Sequence, residues 1–141
     1  YVVHEKLQTI MHNFVGIVRT GEELLKGLEK LQKIKTEIDN VSSNASAQYN
    51  PGWNEALDLQ NLIVTAEAVT RCALEREESR GAHTRLDFEG EHKTGIDYNV
   101  IVKKSEQGMV TKKVIRKDPP KKLYNIASSS LKDLEKGKIE N

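Results

Sequence analysis

The sequence predicts a mainly α fold: an antiparallel three-helix bundle, then a small β-hairpin and a C-terminal tail. Three observations carry the prediction. Apolar residues recur every three or four positions between Leu7 and Val41. The stretch from Glu55 to Arg80 holds no Pro or Gly and is rich in good helix formers. Beyond Gly90 the text turns to β-branched, alternating runs broken by a Gly-containing turn.

The bulk properties bound the answer. The chain has 141 residues, 37% apolar and 30% charged. That is enough for one helical core and argues against a large two-layer α/β fold. It starts at Tyr1 rather than Met, which leads us to expect a piece of a longer polypeptide. Cys72 is the only cysteine, so an internal disulfide and a multi-cysteine zinc site are excluded. No apolar run approaches the ~20 residues that span a bilayer, and no secretory signal is visible. A soluble protein of a reducing compartment is therefore expected. Charge is unevenly spread. Residues 93–141 carry 12 Lys/Arg against 6 Asp/Glu, while residues 1–92 carry 10 against 15. The basic tail lacks the clustered Arg and interleaved aromatics of a nucleic-acid arm, so it reads as a solvated surface.

The first helix runs from His4 to Phe14, with Leu7, Ile10, Met11 and Phe14 on one face, and ends near Val15, before Gly16. Thr20-Gly-Glu-Glu23 is a capping box that opens the second helix, with Glu22 and Glu23 at the positive end of its dipole. Its stripe is Leu24, Leu28, Leu31, Ile34 or Lys35, Ile38 and Val41. The helix is expected to fade through residues 41–46, rich in Ser and Asn. Tyr49-Asn-Pro-Gly52 is a turn, after which Asn54 can cap a third helix running to Arg80. That span is ~39 Å long. Its apolar residues fit no single narrow stripe, so cover on more than one side is expected. Gly81 is placed as the left-handed residue past its end, with Arg76 and Arg80 at the negative end of the dipole. Two strands, Tyr98–Lys103 and Met109–Arg116, flank a turn at Ser105–Gly108. A lone hairpin is marginal in water, so it must lie on the helices or on a partner. A last short helix over Leu123–Lys136 and frayed final residues complete the reading. Residues 1–90 are thus expected to form the bundle, ending in the ESRGAHTR segment, and residues 91–141 a basic hairpin and tail.

Catalytic chemistry is hard to find. His4 and His12 lie eight apart on one helix, the wrong spacing for a zinc pair, and there is no HExxH. Cys72 sits on an alanine-rich helical face with no adjacent base, as a buried structural cysteine does. No GxGxxG, GxxxxGK[ST] or GxSxG is present. What stands out is Arg80, His83, Arg85 and Asp87 within one short segment. Such a set can be an ordering ion-pair network, a carboxylate or phosphate site, or incidental surface. The network is preferred.

Three blocks then carry a resemblance. Val15-Gly-Ile-Val-Arg-Thr-Gly-Glu-Glu-Leu24, Asn50-Pro-Gly-Trp-Asn-Glu-Ala-Leu-Asp-Leu-Gln-Asn-Leu62 and Ala73-Leu-Glu-Arg-Glu-Glu-Ser-Arg-Gly-Ala-His-Thr-Arg-Leu-Asp87 occur in order. Together they resemble the C-terminal helical domain of the succinate dehydrogenase/fumarate reductase flavoprotein subunit family. L-aspartate oxidase shares the helical domain and an ESRG-type segment. The GAHTR version and the NPGW segment favour the succinate/fumarate branch, and the resemblance fades in the basic tail. It implies a spectrin-repeat-like three-helix bundle behind a flavin-binding and a capping domain. It implies FAD in the full-length protein, held by absent domains, with no catalytic, cofactor or metal ligand in this piece. It further implies succinate/fumarate oxidoreduction, electrons passed to an iron–sulfur subunit and quinone, and a cytoplasmic location at the inner face of the cell membrane through partner subunits. On that reading Arg19, Arg80, His83, Arg85 and Asp87 order a domain interface. The rival readings are the matching domain of L-aspartate oxidase and a stand-alone helical adaptor with a basic tail.

Overall fold

In a computed structural model the chain is helix-rich with one small antiparallel hairpin, and residues 1–42, 46 and 48–135 are described. Helix α1 covers Val2–Phe14 and α2 covers Gly21–Ile38. The capping box at the start of α2 is formed as the sequence predicts. Glu23 N–H donates to Thr20 Oγ1 at 3.2 Å, and Thr20 N–H donates to the Glu23 carboxylate at 2.8 Å. The predicted fading of α2 falls partly on residues 43–45, outside the described set. Helix α3 covers Pro51–Glu75. It starts earlier than expected because Asn50, not Asn54, is its N-cap, accepting from Trp53 N–H at 3.3 Å. Pro51 then takes the first helical position, where its missing N–H costs nothing.

Helix α3 also stops short of Arg80. Arg76 is its C-cap, with extended backbone. Gly81 has the expected positive φ of +58° but does another job. It sits with Ala82 in a two-residue loop that lets Arg80 and His83 exchange backbone hydrogen bonds of 2.8 and 3.0 Å. The chain then pairs with the α1–α2 connection: β1 (Val18–Arg19) runs parallel to β2 (Thr84–Arg85).

The three helices share one apolar core. Leu7 of α1, Leu31, Ile34 and Ile38 of α2, and Leu59, Ile63 and Ala66 of α3 close on one another. A second cluster, Val15, Leu24 and Ala73, continues it toward the β1–β2 end. Ile34 is the buried choice in the α2 stripe, and Lys35 reaches sideways to Glu67 at 3.2 Å. Among the described residues the other helices cover α3 along one stripe. Leu57, Leu62, Val64 and Val69 stay exposed, so the expected cover on a second side is not supplied by residues described here.

Strands β3 (Tyr98–Ser105) and β4 (Gly108–Ile115) form the hairpin, with Ser105 opposite Gly108. The turn is two residues long, and Gly108 at φ +105° supplies a backbone that side chains resist. The hairpin lies against the end of α3. Lys113 approaches Glu75 at 3.6 Å, and the Tyr98 ring lies under the Arg76 guanidinium at 5.0 Å. The expected single last helix is two, α4 (Lys121–Ser128) and α5 (Leu131–Glu135), broken at Ser129 and Ser130. Its expected end at Lys136, and the expected fraying beyond, lie outside the described residues.

Candidate functional site

The helix ends meet at one junction, and Arg85 is its centre. Its side chain is 3% exposed. One guanidinium nitrogen, Nη1, donates to the carbonyls of Ala73, Leu74 and Arg76 at 3.1–3.3 Å. These are the C-terminal carbonyls of α3, which have no partner inside the helix. The dipole expectation for this end was therefore right in kind and wrong in residue. Of the two expected residues, Arg76 is the C-cap itself but turns its guanidinium to Glu78 and the Gly95 carbonyl, Arg80 pairs with Glu78 and Glu91, and Arg85 brings its charge to the helix-end carbonyls. The other two donors, Nε and Nη2, form a bidentate pair with Asp87, each at 2.8 Å. Asp87 in turn accepts from Gly21 N–H, the first residue of α2, at 2.8 Å. A cation thus meets the negative end of α3, an anion meets the positive end of α2, and the two are bonded to each other. Arg85 holds the Asp87 carboxyl well below the usual carboxylate range, helped by the Gly21 amide.

Ser79 fixes the backbone of this loop. Its hydroxyl oxygen accepts from Arg85 N–H at 2.8 Å, and its proton lies within reach of the Arg85 and Phe88 carbonyls, at 3.0 and 2.8 Å. The Phe88 ring lies under the Arg85 guanidinium at 4.8 Å.

A second carboxylate of the junction, Glu78, is buried. Glu78 is 1% exposed and is bonded by Arg76, by Arg80 at 3.1 Å and by His92 N–H at 3.0 Å. Burial pushes its pKa up, but the donors outweigh burial and the net shift is downward. Gly95 is pressed against this carboxylate. A Cβ at Gly95 would collide with the Glu78 carboxylate, which its donors hold in place. Arg80 also reaches Glu91 at 2.9 Å and the His92 carbonyl at 3.1 Å. His83 donates from Nε2 to the Arg76 carbonyl at 3.0 Å. Burial, and then the charges of Arg19, Arg85 and Arg76, push its pKa down despite that bond, which leaves the neutral Nε2–H form at pH 7. Arg19 lies next to Arg85 in the β1–β2 register, and among the described residues its guanidinium bonds only the Ile17 carbonyl, at 3.4 Å.

The structure therefore brings all five sequence-predicted residues to one end of the helices. Arg85 and Asp87 form one unit, Arg80 belongs to the Glu78 unit, and His83 and Arg19 flank them. Sequence reasoning missed Glu78, Ser79 and Gly95. It also missed Glu67, 3% exposed on α3, which binds Arg71 at 2.9 Å and Lys35 at 3.2 Å and so ties α2 to α3. Only Glu67 had a local signal, its i,i+4 spacing to Arg71. Every buried side-chain polar atom among the described residues has a hydrogen-bond partner. The bonded Arg85–Asp87 and Glu78 groups offer no unpaired buried donor to a flavin phosphate, and among the described residues the junction has no glycine-rich cradle, so these groups do not fit FAD. Among the described residues no group of three or more His, Cys, Asp or Glu could hold a metal ion. None of their helices is long and apolar enough to cross a membrane.

Fold and site define a helical domain whose helix ends are clamped by arginine–carboxylate pairs, each with one buried member. Residues 4–123 match the family described as fumarate reductase flavoprotein C-term. The chain belongs to that family, and the resemblance read from the three sequence blocks is borne out. It is 40% identical over 103 residues to an uncharacterised FAD-dependent oxidoreductase of Methanocaldococcus jannaschii, covering 73% of this chain and 18% of that protein. It is 41% identical over 85 residues to L-aspartate oxidase of Yersinia pestis, covering 60% of this chain and 15% of that one. The structure of Mycobacterium smegmatis Sdh1 in complex with UQ1 superposes with a TM-score of 0.84 at 32% identity, over 96% of this chain and 23% of that one. The chain thus spans less than a quarter of the length of these relatives. Their names are those of oxidoreductases.

Proposed function

We propose that this chain is the C-terminal domain of a succinate dehydrogenase/fumarate reductase flavoprotein subunit. It serves FAD-dependent interconversion of succinate and fumarate without itself touching flavin or substrate. Residues 1–90 act as an antiparallel three-helix brace that ends in the ESRGAHTR segment, with residues 91–141 a basic hairpin and tail on its flank. FAD and substrate are held by a flavin-binding and a capping domain elsewhere in the polypeptide. Electrons leave through an iron–sulfur subunit to quinone, and the protein sits at the cytoplasmic face of the cell membrane through its partner subunits. Arg19, Arg80, His83, Arg85 and Asp87 order the end of the brace that faces the flavin-binding domain.

The observation that carries this reading is the superposition on Sdh1, which extends over 96% of the chain and so includes the hairpin as well as the helices. The fully partnered Arg85–Asp87 and Glu78 units support the division of labour, since groups already bonded to one another have nothing left with which to bind a ligand. A second reading, the corresponding domain of L-aspartate oxidase, is favoured by the 41% identity over 85 residues. The full-length protein decides between them. Turnover of succinate or fumarate with an artificial electron acceptor or donor supports the first, and oxidation of L-aspartate without it supports the second.

A further inference from the structure

Arg19 stands apart from the other arginines of the fold. Five arginines are partly or fully buried: 19, 71, 76, 80 and 85. Four of them have a carboxylate oxygen within 3.2 Å, on Glu67, Glu78 or Asp87. Arg19 has none among the described residues, and its guanidinium bonds only the Ile17 carbonyl. Burial, and then the neighbouring charge of Arg85, push its pKa down, so the site penalises the very charge it holds. Its neighbours along the strand pair include exposed apolar residues, Ile17 at 66%, Val18 at 59% and Leu86 at 61%. A partly buried cation without a carboxylate partner among the described residues, on a strand pair beside exposed apolar residues, is the form of an interface anchor rather than of a solvated surface.

We infer that Arg19 receives a carboxylate side chain from a part of the same polypeptide outside residues 1–141. The inference rests on the reading of this chain as one domain of a longer subunit, and it names the contact that joins the two. Charge chooses the occupant: Arg85 is already paired by Asp87, Arg19 beside it has no carboxylate among the described residues, and an anion supplies the missing counter-charge. Length chooses its source. The Sdh1 chain is covered only to 23% of its length by this domain, so most of such a subunit lies elsewhere and is tethered in cis, at high effective concentration.

The test uses the intact full-length protein carrying Arg19→Lys, treated with a zero-length carbodiimide that joins an amine to a carboxylate it touches. Digestion and mass spectrometry read the products. Position 19 is expected to be joined to an Asp or Glu outside residues 1–141. The Lys6–Glu37 pair, 2.7 Å apart, is the internal control for the chemistry. A joint only to another subunit, only to a carboxylate within residues 1–141, or none at position 19 while the control pair is joined, overturns the inference. Because Lys presents a different head group, Arg19→Glu in the same protein is the second measurement. It leaves the Arg85–Asp87 pair and the α2 cap in place, and it is expected to release this domain to limited proteolysis about tenfold faster or more. Unchanged release overturns the inference. Failure of the functional reading is seen separately. A protein that oxidises L-aspartate and not succinate, yet gives the cross-link, refutes the reaction and keeps the contact.

Discussion

Asp87→Ala probes the clamp where it is most exposed to failure. The substitution removes three hydrogen bonds, two from Arg85 and one from Gly21 N–H. It leaves the Arg85 guanidinium, 3% exposed, without a counter-charge. Removing one partner of a fully buried ion pair costs about 3–5 kcal/mol. Here the figure is discounted because the Asp87 side chain is 36% exposed and Arg85 keeps its three carbonyls. Loss of an anion and acceptor at a helix N-terminus adds about 1 kcal/mol. The expected loss is about 2–3 kcal/mol in all. With a urea dependence of about 1.5 kcal/mol per molar, the midpoint of unfolding drops by about 1–2 M. The assay is urea unfolding of residues 1–141 followed by helical circular dichroism. Arg85→Met and the double variant complete a cycle. Arg85→Met strands the Asp87 carboxylate, which water can reach, and the three α3 carbonyls, so the double variant loses less than the sum of the two single losses and the coupling is about 2 kcal/mol. The pH dependence follows from the sign of the shift. The Asp87 pKa is depressed in the fold, so its contribution is present above the usual carboxylate range and is lost as pH falls below it. An Asp87→Ala loss under about 0.5 kcal/mol, or a coupling of zero, refutes the clamp.

Other outcomes follow from the same contacts. Gly95→Ala drives a methyl into Glu78 and breaks its bonds to Arg76, Arg80 and His92. Thermal unfolding is expected to show a loss of about 2–4 kcal/mol, and a neutral result contradicts the packing at that wall. Thr20→Ala removes the capping box of α2 and should cost about 1 kcal/mol in the same assay, with Thr20→Ser close to wild type. His83 should titrate below its ordinary 6.5 in a nitrogen-15 NMR titration, with the Nε2–H tautomer at pH 7. Since its folded pKa is lowered, the unfolded chain binds its proton first. Its contribution is complete above pH 6.5 and fades below, and that slope should be missing in His83→Gln.

What the sequence discloses here is what neighbours in sequence decide. The end of α1, the Thr20–Glu23 box and the two-residue hairpin turn each depend on contacts within a few positions, and their residues name them. The start of α3 was misread because Asn50 and Asn54 are equally good caps in isolation, and only Pro51 at the first helical position separates them. Its end was misread because Arg76-Glu-Glu-Ser-Arg80 has good helical propensity. Glu78 and Arg85 override that propensity by bonding across 14 and 12 residues, to His92 N–H and the Ala73 carbonyl. The charged residues of the junction were visible, but their pairing was not. Arg80 turns to Glu78 and Glu91, and Arg85 takes over the helix end, because backbone geometry brings β2 beside β1. Gly95 carries no local signal at all, since the reason for it is a carboxylate 17 positions earlier.

The account stands or falls on whether this junction supports the redox machinery or takes part in it. Arg80→Ala in the full-length protein, assayed for bound flavin, subunit assembly and succinate turnover together, separates the two. The account predicts that all three decline in step, because the Glu78 unit loosens the end of the brace. A variant that assembles, keeps its full complement of flavin and loses only turnover would contradict it.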